Sequence, residues 1–163
     1  LATSRQGRAH LDAYLDDHAF LLLAHIELLE ADFRADDLAS ARALAETLLA
    51  RFEDKADGGF HFTADDHETL IHRPKPMHDN SMPSGNAAAI LGLLRLGRRL
   101  GEPAWLESAG RALRLFQPEL SRHPGGAATM LMALEEALAP AGVNAPACTD
   151  VSCPVPDRVL QAR

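Results

Sequence analysis

The chain predicts an all-α fold: part of an α/α toroid of about five helices, with one small β-hairpin inserted. Three observations predict it. Hydrophobic residues make up 47% of the 163 positions but aromatic ones only 5%; Ala and Leu dominate, and both favour helices. Apolar residues recur at i, i+3, i+4 and i+7 through separate stretches of the chain. The chain also repeats itself at an offset of 68 residues, placing Leu38-Ala39-Ser40-Ala41 on Leu106-Glu107-Ser108-Ala109 and Asp17-His18-Ala19 on Gly85-Asn86-Ala87. Each unit pairs a more buried helix with a more amphipathic one, and such hairpins stack their apolar faces on neighbours.

Residues 1–11 are polar and read as an irregular lead-in. A first helix is expected from Asp16 to Phe33, with Phe20, Leu21, Leu23, Ala24, Leu28 and Ala31 in periodic register and Leu22, Ile26 and Leu29 beside them. So much apolar circumference predicts a largely buried helix, capped at its start by Asp16 or Asp17. A second is expected from Asp37 to Phe52, striped by Leu38, Ala41, Ala45, Leu48 and Leu49, with Arg42 and Glu46 paired outside. A third runs from Ser84 to Leu100 and stops at Gly101, with Arg95, Arg98 and Arg99 favourably near its C-terminus. A fourth runs from Pro103, well placed in a first turn, to Phe116, presenting Leu106, Ala109, Leu113 and Phe116. A fifth spans Gly126 to Leu138. Met130, Met132 and Trp105 read as packing residues. The toroid portion is expected over residues 1–140, and 141–163 as an extended tail with a turn near Asp157 to Gln161.

Between the second and third helices lies a polar stretch, Asp57 to Asn86, rich in His and Asp and broken by Gly58-Gly59, Pro74, Pro76, Pro83 and Gly85. It cannot be one helix. A long polar connection in a compact domain is often functional. Phe60-His61-Phe62-Thr63 alternates like a strand, and Thr69-Leu70-Ile71-His72 is its expected partner across Ala64-Asp65-Asp66-His67-Glu68.

A net charge of −7 without a basic block argues against nucleic acid. No apolar run is long enough to span a membrane, and no signal peptide is visible, so a cytoplasmic protein is expected. The chain opens at Leu1 rather than Met, and a fragment or processed product is expected. Cys148 and Cys153 stand four residues apart in the Pro-rich tail. They could close a small loop or supply half a metal site; unpaired thiols in a reducing compartment are the simpler reading.

Several spaced segments resemble one family. They are Tyr14-Leu15-Asp16-Asp17-His18-Ala19-Phe20, Asp57-Gly58-Gly59-Phe60, Arg73-Pro74-Lys75, Asp79 with Pro83-Ser84-Gly85-Asn86, and Cys148 through Cys153-Pro154 to Asp157. Together they are similar to the C-terminal end of the spermatogenesis-associated, thioredoxin-domain-containing family. The resemblance covers most of Gly7 to Asp157, and Arg73-Pro74-Lys75 with Pro83-Ser84-Gly85-Asn86 is its specific part. His18 stands where that family usually has Tyr. The resemblance implies a six-hairpin-like, (α/α)6-barrel region akin to N-acylglucosamine 2-epimerases and six-hairpin glycosidases, here roughly its last half and without the thioredoxin-like domain. Carbohydrate metabolism is implied by analogy of fold, which does not itself fix function.

Each candidate residue carries two readings. Asp16, Asp17 and His18 precede a buried helix; a carboxylate beside an imidazole tunes acid–base chemistry, or caps the helix. His78 and Asp79, with Ser84 and Asn86, cluster at the entry to the third helix, either as a site or as mutual caps. Arg73 and Lys75, held extended around Pro74, are expected to point to the same side. They would hold sugar hydroxyls, a carboxylate or a phosphate, or form an ion pair with Asp79 or Asp17. Asp66, His67 and Glu68 read as solvated. No zinc spacing is present, and neither metal nor cofactor is expected.

Three functions follow. One is a sugar epimerase or isomerase using His78 or His18 as acid/base, with Arg73, Lys75 and Asn86 on hydroxyls. Another is glycoside hydrolysis by Asp17 and Asp79. The third is a non-catalytic module that binds a ligand or partner, so whether the chain is an enzyme stays open. A partial ring leaves apolar faces uncovered. The chain is therefore expected to bind the remainder of its parent protein or to self-associate, with a sugar or other small molecule as ligand.

Overall fold

The computed structural model describes residues 3–67 and 72–140. Five α-helices carry the fold: α1 (Leu15–Ala31), α2 (Ala35–Thr47), α3 (Gly85–Leu100), α4 (Pro103–Arg122) and α5 (Ala128–Leu138). A π-helical turn, Leu48–Phe52, continues α2, and a 3₁₀ turn, Pro124–Gly126, precedes α5. Two short strands, β1 (Thr3–Arg5) and β2 (Arg8–His10), pair antiparallel with Thr3 opposite His10. Among the described residues the fold is thus all-α with one small two-stranded sheet, consistent with a partial α/α toroid. The 68-residue offset carries α3 and α4 onto 17–32 and 35–54, close to α1 and to α2 with its π turn.

The strand pair lies in the segment read as irregular, not at Phe60–Thr63. Gln6 and Gly7 supply consecutive positive φ values of 53° and 75°, as a two-residue hairpin turn requires. In the polar segment Phe60 forms only an isolated bridge with Glu53. His61 N–H donates to Phe52 O and Phe62 N–H to Pro74 O, each at 2.8 Å. Residues Thr69 to Ile71 of the expected partner strand lie outside the described residues, as does the tail 141–163 with both cysteines.

Contacts order the helices. α1 packs on α3 and α3 on α5, while α2 covers α1 and α4 covers α3. α1, α3 and α5 are therefore the inner helices, and α3 stands between the other two. Their shared direction follows from what meets at each end. At the starts, Gly85 of α3 lies against Asp16 of α1, and Asp79 accepts hydrogen bonds from both Ser84 N and Thr129 N. At the other end, Arg95 and Arg99 of α3 reach Glu27 and Glu30 of α1. Arg98 there reaches Glu136 (2.9 Å) and the carbonyls of Ala137 and Ala139 on and after α5. The three inner helices run parallel.

Position in this ring explains burial. α3 is buried at twelve of its sixteen positions. Ser84 caps its start, accepting Ala87 N–H, and Gly101 ends it at φ 68°. α1 buries Leu15, Ala19, Leu22 and Ile26. The expectation of a largely buried α1 holds only in part: Leu21 and Leu28 are 53% and 51% exposed, because α2 and α3 cover only part of its circumference. On α5 Met130 is fully buried, whereas Met132 is exposed.

Three further expectations are corrected. The N-cap of α1 is Tyr14; Asp17, three residues on, accepts the Tyr14 N–H at 2.8 Å. Arg42 pairs with Glu102 of the α3–α4 link at 3.0 Å rather than with Glu46, because that partner fixes two elements at once. Helix α4 runs six residues past Phe116, through the exposed Pro118. Proline removes one N–H bond there, and burial of Leu120 on the core holds the added turn.

Candidate functional site

The parallel inner helices bring their starts to one end of the molecule, and the polar segment threads across that end. Its scaffold begins with a tight turn after the π helix. Asp54 Oδ1 accepts Ala56 N–H and Asp57 N–H, and Gly58 and Gly59 take positive φ of 84° and 75°. The turn packs against α4, where a Cβ on Gly58 would press on Arg111 O at 3.0 Å. Glu53 is anchored there too, accepting Ser108 Oγ–H at 2.7 Å and pairing with Arg111.

Around the entry to α3, four predicted residues are close in sequence and three are joined in space. Asn86 is fully buried. Its Oδ1 accepts Phe60 N–H (2.8 Å), and its Nδ2 donates to Phe60 O (2.8 Å) and Pro76 O (3.0 Å). Ser84 Oγ donates to the same Pro76 O at 3.0 Å. Asp79 Oδ1 accepts Ser84 N–H and its Oδ2 accepts Thr129 N–H, both at 2.8 Å. His78 turns outward and is about half exposed. Its Nε2 lies 3.9 Å from Glu119 Oε1, which also accepts His123 Nδ1–H at 2.9 Å.

Arg73 and Lys75 both grip the loop after the π turn. Arg73 Nη2 donates to Thr63 O at 2.6 Å. Lys75 Nζ donates to Asp54 Oδ2 at 2.7 Å and Gly58 O at 2.8 Å, so its carboxylate partner is Asp54 rather than Asp79 or Asp17. Asp54 wins because its turn places a carboxylate and a carbonyl together. That hydrogen bond, reinforced by the Asp57 amide, holds the Asp54 carboxyl far below the usual carboxylate range. His61 sits beside them: Nδ1–H donates to Arg73 O at 3.1 Å, leaving Nε2 3.5 Å from Asp54 Oδ2. Burial, with the charges of Arg73 and Lys75, pushes the imidazole below its ordinary value.

At the start of α1, Asp17 is engaged by the Tyr14 amide. His18 Nδ1–H donates to Tyr14 O at 2.9 Å, and its ring packs on Phe52 with centroids 5.0 Å apart. The 68-residue repeat puts His18 where the second unit has Asn86, and both bind backbone. Tyr14 stacks on Phe62, and Leu15 N–H donates to Phe62 O at 3.0 Å, so the polar segment is tied to α1 as well. Asp66 pairs with Arg51.

Asp16, read from the sequence beside Asp17 and His18 at the start of the first helix, is the group that stands apart. Among the described residues it has the one carboxylate oxygen, Oδ1, that is buried without a hydrogen-bond partner. It lies against Gly85, where any Cβ would collide with that oxygen. Burial, then the neighbouring charge of Asp17, raises the Asp16 carboxyl above its ordinary value. The repeat aligns Asp16-Asp17 with Ser84-Gly85 and so brings two helix starts into register. Among the described residues no group of three His, Cys, Asp or Glu side chains is arranged to hold a metal ion, and no helix is long and apolar enough to cross a membrane.

No family model matches the chain. It is 30% identical over 122 residues, 74% of its length, to spermatogenesis-associated protein 20 of Homo sapiens. It is 29% identical over 133 residues, 81% of its length, to the protein of that name from Rattus norvegicus. The relationship is distant, and the aligned parts are 16% and 17% of those relatives. The chain thus spans about a sixth of the curated proteins it matches.

Proposed function

We propose that the chain is a ligand- or partner-binding portion of a larger α/α toroid, from a cytoplasmic protein related to spermatogenesis-associated protein 20. In this reading the polar segment builds the floor of a site at the helix-start end and supplies no reacting group. One observation carries it: the hydrogen-bonding atoms of Asn86 and both carboxylate oxygens of Asp79 are engaged by the protein's own backbone. A group that must exchange protons or grip a substrate has to be released from such bonds first, and each buried bond resists release. The remainder of the parent protein, or a second copy, is the expected macromolecular partner, and a sugar or related polar small molecule the expected ligand.

A second reading, sugar epimerase- or isomerase-like acid–base chemistry in the manner of the six-hairpin folds, is favoured by Asp16. An unpartnered, buried oxygen on a carboxyl with a raised pKa is the profile of a general acid or base. His78, half exposed, is an accessible imidazole beside the same end. Hydrolysis by Asp17 and Asp79 has less support, since both carboxylates hold helix starts.

The test is a thermal-shift panel of mono- and disaccharides and sugar phosphates, followed by proton NMR of any binder in D2O. A shift without exchange of the sugar's C2 proton is expected. C2 exchange abolished by Asp16→Asn or His78→Ala would replace the binding reading with the catalytic one. No shift with any member of the panel would overturn the small-molecule site.

A further inference from the structure

The inner helices differ in how completely they are surrounded, and the internal repeat says what the least covered face is shaped for. On α3, the side turned to α1 is marked by four contacts. Gly85 meets Asp16, Gly92 meets Leu22 and Leu23, Arg95 pairs with Glu27, and Arg99 pairs with Glu30. Shifted back by the 68-residue repeat, these α3 positions become Asp17, Ala24, Glu27 and Ala31 of α1. The last three are exposed, and with them Leu21 and Leu28, the counterparts of Ala89 and Leu96. Ala89 and Leu96 are 0% and 1% exposed. Apart from Glu27, which pairs with Arg95, the stripe that α3 buries toward its neighbour is therefore present on α1, still apolar and without a neighbour among the described residues.

We propose that the face of α1 formed by Leu21, Ala24, Leu28 and Ala31 docks one more inner helix of the same repeat, standing to α1 as α1 stands to α3. The small Ala24, at the place of Gly92, allows the close approach that Leu22 makes on Gly92. The docking helix presents adjacent apolar side chains at the height of Ala24, as Leu22 and Leu23 do at the height of Gly92. Its source is the parent protein, since the relatives are about six times as long as the span matched here. This rests on the reading of the chain as part of a larger toroid, and names the face and the kind of element that completes it.

The complete gene product decides it, with every native cysteine, Cys148 and Cys153 among them, replaced by Ser. Leu28→Cys and, as a solvent-facing control on α2, Glu46→Cys are each exposed to a thiol-reactive dye at several protein concentrations. A thiol at 28 reacting at least tenfold more slowly than one at 46, independent of concentration, is expected. Equal rates would overturn the proposal by leaving the face open to water. Protection at 28 that disappears on dilution, alongside a dimer mass by light scattering, would overturn it in favour of a second copy. Ala24→Cys repeats the reading if Leu28→Cys folds poorly. Saccharide binding does not enter this readout, so loss of the ligand reading leaves the docking result standing, and the reverse.

Discussion

Asn86 has no exposed surface and satisfies one amide and two carbonyls that would otherwise be buried unpaired. Each orphaned buried polar group costs about 1–3 kcal/mol. Asn86→Ala should therefore lose about 2–4 kcal/mol, read as a lower urea midpoint with an unchanged slope. Asp16 and His61 predict opposite pH responses. The Asp16 carboxyl is raised in the fold, so its contribution is fully present below the unfolded value and lost as pH rises through the folded one. Asp16→Asn should then be more stable than the parent at pH 7, with the gain vanishing in acid, in melts across pH 3–7. The His61 imidazole is lowered, so its contribution is present above the unfolded value near 6.5 and lost as pH falls through the folded one. His61→Gln should flatten the loss of stability on acidification below that value. Sequence pointed to the polar cluster holding Asn86 and His61, but not to their partners. Phe60, Pro76 and Arg73 contribute backbone atoms, which no side-chain pattern reveals.

At the scale of elements, the helices were legible because periodicity, Pro103 at a first turn and Gly101 at a left-handed stop are local signals. What escaped depended on neighbours: the extension of α4 through Pro118, the hairpin at Gln6-Gly7, and the exposed face of α1. The seam between α1 and α3 is the most specific element contact. A Cβ at position 85 would strike Asp16 Oδ1, with Leu15 Cγ at 3.2 Å behind it. Gly85→Ala should cost about 1–3 kcal/mol, the usual range for overpacking a tight site. Because the obstruction is chiefly one side chain, Gly85→Ala with Asp16→Ala should recover much of that loss. Strict additivity in the double-mutant cycle would remove the claim that Asp16 rests on Gly85.

Across the molecule, the inner helices are fastened at both ends by different chemistry. At their ends Arg95, Arg98 and Arg99 of α3 reach acidic partners on both neighbours. These pairs are partly exposed, and exposed pairs contribute little individually. At their starts a single carboxylate, Asp79, holds the N-cap amide of α3 and the second amide of α5 together, and its own N–H donates to Gly126 O at 2.8 Å. α5 packs chiefly on α3 and lightly on α4, so its attachment relies on that carboxylate more than the attachment of α1, which α2 also braces. Asp79→Ala should therefore loosen the molecule unevenly. Charge-assisted hydrogen bonds of this kind are worth about 1.5–3 kcal/mol each. Amide hydrogen exchange in α5 should accelerate by an order of magnitude or more, as a local opening. The amides of α1 and of the second half of α3 should change several-fold less. Uniform acceleration across all three helices would mean that the inner bundle opens as one unit and that Asp79 does not tether α5 separately.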